Sequence, residues 1–440
     1  MKELLFGLLL AGVGAQDPGA PAAPDPEQGF TERLVAWLEA RAKPDPDVAA
    51  LRASRRALAA QARVLGIDAY LRDSVRLRQL FDPALVGATQ ALEDPQRQTG
   101  ILDAWHWLSA ELSVSAQQNG YRVIVRVVAD SDALGNVDPR LEGLLAPWPD
   151  LSLLPDTAIV ALRLPREFGF QDEFWGDTKA GRAREAQRVA AFEAALRDAL
   201  RAVPRFDPNK LVLDCDRNTC GFGLRLLTYW PRRFAGALLR DPEVVPGLRL
   251  DAVATPVGLL VEFLTRESHE EVQARLDEAY AQQGRAPRHV VASFESFEHR
   301  IAESDQPAYD RWVLGLERQS DPPQSLVLAP NGLAGHGMDW LTIEAFDESV
   351  GSVRDARIEA RIDRARNRVT VQSRRVREVT FWLDDRLLDL SEPITFVLDG
   401  SPVVEYLVRD VWCACERARR TGDPFGLATV RITLALPKRD

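Results

Sequence analysis

The sequence predicts an α/β protein. A wound, mostly parallel sheet follows an N-terminal helical region and precedes a C-terminal antiparallel β-sandwich. Three observations carry that prediction. Between residues 121 and 319, short apolar segments rich in Val, Ile and Leu alternate with amphipathic helical segments, the pattern of successive βα units. Before them, residues 30–115 show apolar residues at helical spacing. After them, from Gly335, short segments alternate apolar and polar residues and are separated by Asn and Asp-Gly turn signals.

The elements follow in chain order. Lys2 precedes an apolar run, Leu4 to Val13, and the small residues Val13 and Ala15 stand at the −3 and −1 positions of a cleavage after Ala15. Residues 1–15 therefore read as a signal peptide, too short to span a bilayer, which predicts a secreted or periplasmic protein. No Cys follows the run to carry a lipid anchor, and no later stretch is long and apolar enough for a transmembrane segment. Residues 16–29 form a proline-rich linker. Residues 30–119 form the helical region. Thr31 to Ala42 is ended by Lys43-Pro44, a second helix runs between an Asp47 cap and a Gly66 stop, and a third covers Asp68 to Phe81.

The α/β domain spans residues 120–332. Its strands are YRVIVRVVAD from Tyr121, TAIVALRL at 157–164, KLVLDC at 210–215, VGLLVEFL at 257–264 and HVVASFES at 289–296. Helices are expected at 180–202, from about Gly221, at His269 to Gln283 and around Pro307 to Gln319. The sandwich spans 335–440, with a short helix at 411–420.

Composition narrows the function classes. The chain has 440 residues, 46 % of them hydrophobic, enough to bury a core and to exclude a wholly disordered chain. Its 55 basic and 65 acidic residues leave a net charge of −10, which argues against nucleic acid as a partner. There is no P-loop and no G-x-G-x-x-G after a strand, so no nucleotide cofactor is expected. No His lies at ligand spacing from the Cys215/Cys220 or Cys413/Cys415 pairs, so no metal is expected either. Cys215 and Cys220 read either as a local disulfide or as two buried thiols.

The most informative segment is KLVLDCDRNTCGFGLRLLTYWPRRFAGAL: a strand, a tight turn, glycines and a helix. That order is the setting of a nucleophile elbow, G-x-S-x-G, in which a strained turn lifts a nucleophile above a sheet edge. The segment resembles the elbow region of secreted bacterial α/β-hydrolases of the esterase and prolyl-oligopeptidase type, down to the YWPRRFAGAL continuation. Residues 336–345 (HGMDWLTIEA), residues 356–403 and the final LATVRITLAL resemble the β-sandwich appended to a group of those enzymes, with Phe381 to Gly400 its most typical run. The resemblance covers residues 120–440 and leaves out the helical region.

The resemblance implies a register. With Cys220-Gly221-Phe222-Gly223 on the glycine-rich start of the helix, the elbow is Asp216-Arg217-Asn218-Thr219-Cys220. Asn218 then holds the nucleophile position, and Asp216 and Cys220 replace the flanking glycines. Asparagine tolerates a left-handed turn, but its amide nitrogen is no nucleophile. Asp130 falls where the resemblance implies oxyanion-binding backbone, and it would repel an oxyanion. Arg266 falls at the acid position, with Glu267 as the nearest substitute, and His299 at the histidine position without the usual glycines. The resemblance thus implies the fold of a hydrolase with its catalytic motifs lost.

Three readings of function follow. The favoured one is a secreted, catalytically degenerate α/β-hydrolase-like protein acting as a binding or structural module on an extracellular polymer or a protein. The second is an active esterase or peptidase with a rearranged nucleophile, Cys220 or Ser293 or Ser296, and His299 as base. The third is a carbohydrate- or partner-binding protein working through its sandwich. Trp148, Trp175 and Trp230 are candidates for a groove over the sheet edge. His106 reads as part of an aromatic cluster with Trp105 and Trp107, and His336 as a domain-linker residue.

Overall fold

The computed structural model describes residues 25–42, 47–81, 103–108, 120–129, 156–164, part of 189–203, and 206–437. The last span is interrupted at 216, 218, 231, 244, 246–247, 262–265, 283–285, 287–289, 296–299, 319–320, 331–336, 348–354 and 422–425. The chain divides into two compact units, Met1–Ile67 and Asp68–Asp440.

The first unit is a helical hairpin of α1 (Pro26–Ala42) and α2 (Val48–Leu65). Phe30, Leu34, Trp37 and Leu38 recur at helical spacing and are buried with Leu58 and Ala62. The Asp47 carboxylate accepts the Ala49 N–H, and Gly66, at φ 66°, closes the helix in the left-handed region. Val48, the first residue of α2, is 58 % exposed, because the packed stripe begins further along the helix.

The second unit opens with the helical turn α3 (Asp68–Leu71), a break at Arg72–Asp73 and further helix to Phe81. The expected continuous third helix is therefore interrupted; Asp73 accepts the N–H groups of Val75 and Arg76 and starts a new helix. Its central sheet contains β1 (Asp103–Leu108), β2 (Tyr121–Ala129), β3 (Thr157–Leu164), β4 (Phe206–Cys215), β5 (Gly236–Arg240), β6 (Val257–Val261), β7 (Val290–Glu295) and β8 (Arg300–Ile301). The spatial order is β1-β3-β2-β4-β5-β6-β7-β8. The six strands from β3 to β7 are parallel, while β1 and β8 run antiparallel at the edges. This is an α/β-hydrolase-like wound sheet. The segment DAWHWL, expected within the helical region, is strand β1, with Asp103 opposite Arg163 and Leu108 opposite Ala158.

The sheet separates two apolar layers. Val123, Val125, Leu211, Leu213, Leu239 and Leu259 point to one side, where Phe192, Leu196, Leu227 and Leu276 cover them. Ile124, Val212, Leu238 and Leu260 point to the other, under Tyr309 and Val313. Strict alternation within strands buried on both faces explains why each reads as a continuous apolar run. The covering helices are α4 (Cys220–Tyr229) and α5 (Arg266–Gln282) on the first side and α6 (Gln306–Leu314) on the second. The buried Arg122 guanidinium fixes α6, donating to the carbonyls of Val313 (2.7 Å), Leu314 (2.8 Å) and Leu316 (3.0 Å) at the helix C-terminus.

The sandwich packs a four-stranded sheet on a five-stranded one. The first contains β10 (Gly337–Met338), β11 (Leu341–Phe346), β14 (Val376–Leu383) and β17 (Val430–Ala435). The second runs, in spatial order, β16 (Ser401–Glu405), β15 (Ile394–Leu398), β13 (Arg368–Arg374), β12 (Arg357–Asp363) and β9 (Ser325–Leu328). Pairing is antiparallel except for β13 with β15. Strand β9 lies before residue 335, so this sheet takes one edge from the chain that leaves the α/β part. Helix α7 (Val411–Thr421) follows β16 and places Arg417 over the buried Trp382 ring at 5.1 Å. Arg232 pairs with Asp339 at 3.0 Å and Arg357 with Asp251 at 3.1 Å, joining sandwich to α/β domain.

Candidate functional site

In wound sheets, ligands and reacting groups gather at the carboxyl ends of the strands. Here the turn between β4 and α4 lies at that edge, where the sequence places the elbow. Its residues Asp216 and Asn218 lie outside the described residues. The described ones show how the turn is held. The buried Thr219 hydroxyl donates to the Val127 carbonyl at 2.9 Å, tying the turn to the end of β2. The Gly223 N–H donates to the Thr219 carbonyl at 2.9 Å and closes the first turn of α4.

Gly223 also sets how closely α4 approaches β4. A Cβ added there would sit 2.5 Å from Cys215 Sγ, closer than any side chain tolerates. Cys215 and Cys220 are both fully buried thiols, so the disulfide reading is not realised. Cys220 Sγ donates to the carbonyls of Arg240 (3.3 Å) and Cys215 (3.4 Å). Those bonds point the thiol at main chain beneath the edge, away from where a substrate carbonyl would lie. Ser293, near the end of β7, is exposed, and its N–H donates to Asp305 Oδ2 at 2.8 Å. The Ser293 N–H, followed by the Ser304 and Ser293 hydroxyls, outweighs burial and holds the Asp305 carboxyl below its ordinary range. Ser293 is thus partnered by a carboxylate that is a weak base.

A charged cluster lies one step below the turn, unforeseen in the sequence. Asp214, the penultimate residue of β4, receives Arg126 Nε from β2 at 3.0 Å and Arg240 Nε from β5 at 3.0 Å. The three side chains are 5 %, 1 % and 2 % exposed for Arg126, Asp214 and Arg240. Burial alone would push the Asp214 carboxyl up, but the attraction and hydrogen bonds of Arg240 and Arg126 win, and it is held below the usual carboxylate range. Charged residues toward the carboxyl ends of three apolar strands, Arg126, Asp214 and Arg240, were the available signal. At the surface, Arg217 of the turn donates to Glu243 at 2.8 Å and lies 3.9 Å from Asp241, which follows β5.

Asp130 follows β2, Arg266 opens α5 after β6, and His299 follows β7. Asp130, Ser296, His299, His336, Trp148 and Trp175 lie outside the described residues, as do the side chains of Arg266, Glu267 and His106. Trp230 is described: it caps the C-terminal end of α4, the end away from the β4–α4 turn, and packs on Phe192 with ring centroids 6.2 Å apart. His269, in the first turns of α5, is 7 % exposed, and its Nδ1 makes no hydrogen bond. Its spacing to Val272 and Leu276 puts it on the core side of the helix. Among the described residues no group of three or more His, Cys, Asp or Glu gathers as a metal site, and no helix is long and apolar enough to cross a membrane.

No protein-family model and no curated protein sequence matches the chain. Solved structures similar to it are esterases and prolyl endopeptidases. A thermostable esterase is 14 % identical, with a TM-score of 0.32 over 49 % of this chain and 60 % of the esterase. Esterase PE8 is 17 % identical, with a TM-score of 0.31 over 49 % of this chain and 99 % of that enzyme. A prolyl endopeptidase is 11 % identical, with a TM-score of 0.30 over 50 % of this chain and 39 % of that one. The fold assignment itself rests on the strand order, the antiparallel first strand and the strand–turn–helix at β4.

Proposed function

We propose that the chain is a catalytically degenerate α/β-hydrolase-like protein that acts as a binding or structural module. One observation supports the reading: among the described residues of the strand–turn–helix at β4, the side chains of Thr219 and Cys220 are both tied to main-chain carbonyls. The sequence puts Asn218 at the elbow tip, Thr219 gives its hydroxyl to Val127, and Cys220 is buried against two main-chain carbonyls. Acyl transfer needs an activated oxygen or sulfur at that tip. Asp130 and Arg266, of the wrong charge at the oxyanion and acid positions, support the same conclusion. The apolar run at Leu4–Val13 supports export, and an extracellular polymer or protein as the ligand class.

The test is an Asn218→Ser variant assayed beside the unaltered chain on a panel of short-chain esters and peptide amides. Both proteins are expected to be inactive, because the oxyanion and acid groups are missing as well. Hydrolysis gained by the serine variant overturns the reading. Hydrolysis by the unaltered chain that His299→Ala abolishes establishes a rearranged active site instead.

A further inference from the structure

We propose that the outer edge of the five-stranded sheet is a self-pairing surface, on which two copies of the chain join residues 405–409, the end of β16 and the chain that continues it, in antiparallel register. The inference is independent of the reading of the elbow.

Strand β16 leaves β15 through the turn Asp399-Gly400, both at positive φ (48° and 90°), the form of a two-residue hairpin. Leu398 pairs with Ser401 next to that turn, and Phe396 with Val403. In such a hairpin the backbone groups of Ser401, Val403 and Glu405 face β15. Those of Val404 therefore face outward, because β16 ends the sheet. Exposure keeps alternating beyond the paired residues. Val403, Glu405, Leu407 and Arg409 are half-buried, whereas Val404, Tyr406 and Val408 are 57 %, 80 % and 84 % exposed. The segment thus presents a strand edge and an apolar stripe together.

Native proteins blunt such edges with charge, proline or bulges. Pro402 stands at the turn end of this one, and the next three outward side chains are Val, Tyr and Val. Eight large hydrophobic residues are strongly exposed among the described residues, and three of them lie in this five-residue stretch. Elsewhere the outer face of this sheet carries Arg357, Glu359, Arg361 and Arg368.

The pattern of charge selects a second copy as the occupant. Two identical antiparallel strands can pair around any one residue, and the choice sets every facing pair. Centring on Glu405 sets two carboxylates against each other. Centring on Tyr406 faces Arg409 with Val403 and Glu405 with Leu407. Centring on Leu407 faces Glu405 with Arg409 twice, Tyr406 with Val408 twice, and Leu407 with itself. This last register matches both charge and apolar surface. Arg409 is already held by Asp385 through Nε (2.8 Å) and Nη2, and Nη2 also reaches the Ser391 hydroxyl at 3.2 Å, so Nη1 is the nitrogen that would meet a second carboxylate. The contact is closed by its two-fold axis, so it stops at a dimer. One strand edge is a small interface, which sets a weak and concentration-dependent association.

Sedimentation velocity on the full chain tests this. A reversible monomer–dimer equilibrium is expected, with no larger species. Tyr406→Lys with Val408→Lys should raise the dimer dissociation constant at least about tenfold with unchanged far-UV circular dichroism, since both side chains are exposed. Leu407→Cys should give a disulfide-linked dimer on mild oxidation, because facing residues at a non-hydrogen-bonded position have Cβ atoms about 4.5–5.5 Å apart. A chain that stays monomeric at its highest soluble concentration, or a dimer that the two lysines leave intact, overturns the proposal. Failure of the Leu407→Cys dimer to form overturns the Leu407-centred register.

Discussion

Replacing Asp214 by Asn should cost the larger unit more stability than any other single isosteric change near the elbow. The carboxylate holds two guanidinium groups at 3.0 Å, and none of the three side chains is more than 5 % exposed. At an effective dielectric of about 20, charges about 4 Å apart attract by about 4 kcal/mol, most of which offsets the desolvation of the ions. The net worth of the intact cluster is therefore small, whereas removing the carboxylate takes its ion pairs and hydrogen bonds away from two buried guanidinium groups. Breaking a buried pair in this way costs about 3–5 kcal/mol. Guanidinium denaturation followed by tryptophan fluorescence reads it as a fall in midpoint at unchanged slope. The triple change Arg126→Met, Asp214→Leu, Arg240→Met should be close to neutral, because it removes the charges together.

The same cluster predicts a pH dependence. The folded carboxyl titrates below its unfolded value, so its stabilisation is fully present above the unfolded pKa of about 3.9 and is lost as pH falls from there through the folded pKa. Asp214→Asn should flatten that acid limb. A loss below about 1 kcal/mol, with the acid limb unchanged, would refute the reasoning by showing that the guanidinium groups do not depend on Asp214.

Three further outcomes are expected. Arg122→Met should cost about 2–4 kcal/mol, because it removes three bonds to carbonyls at the end of α6, two of them in buried contacts; calorimetry reads this as a lowered Tm. Gly223→Ala should destabilise by about 1–3 kcal/mol through overpacking on Cys215 Sγ, and Cys215→Ala in the same chain should relieve part of it, so strictly additive losses would count against the contact. Burial pushes the Cys413 thiol up to about 12, so iodoacetamide at pH 8 should leave it unalkylated in the folded chain and modify it once the chain is unfolded.

The fold was legible where a segment carried its own periodicity. TAIVALRL became β3 at its expected ends, and Asp47 and Gly66 bounded α2 as cap and stop. Strands β1 and β9 were missed for one reason. DAWHWL and SLVL are too short to show a period of their own, and each becomes a strand because a longer neighbour offers an edge. At the candidate site, the turn between β4 and α4 was visible in its glycines and apolar flanks. The Asp214 cluster was not, because a charge in a strand has the same local pattern whether it meets water or a buried partner. Only the adjacency of β2, β4 and β5, set by tertiary structure, decides which. The two thiols across the elbow show the same limit, since spacing allowed a bridge and packing set Cys220 on carbonyls instead.

Intact mass after exposure to a fluorophosphonate tests the central claim most directly. Such probes phosphonylate a serine only where a base and an oxyanion site activate it. The degenerate-elbow account predicts that the folded chain keeps its unmodified mass. A single stoichiometric phosphonate adduct on a serine such as Ser293 or Ser296 would contradict it and establish a working hydrolase.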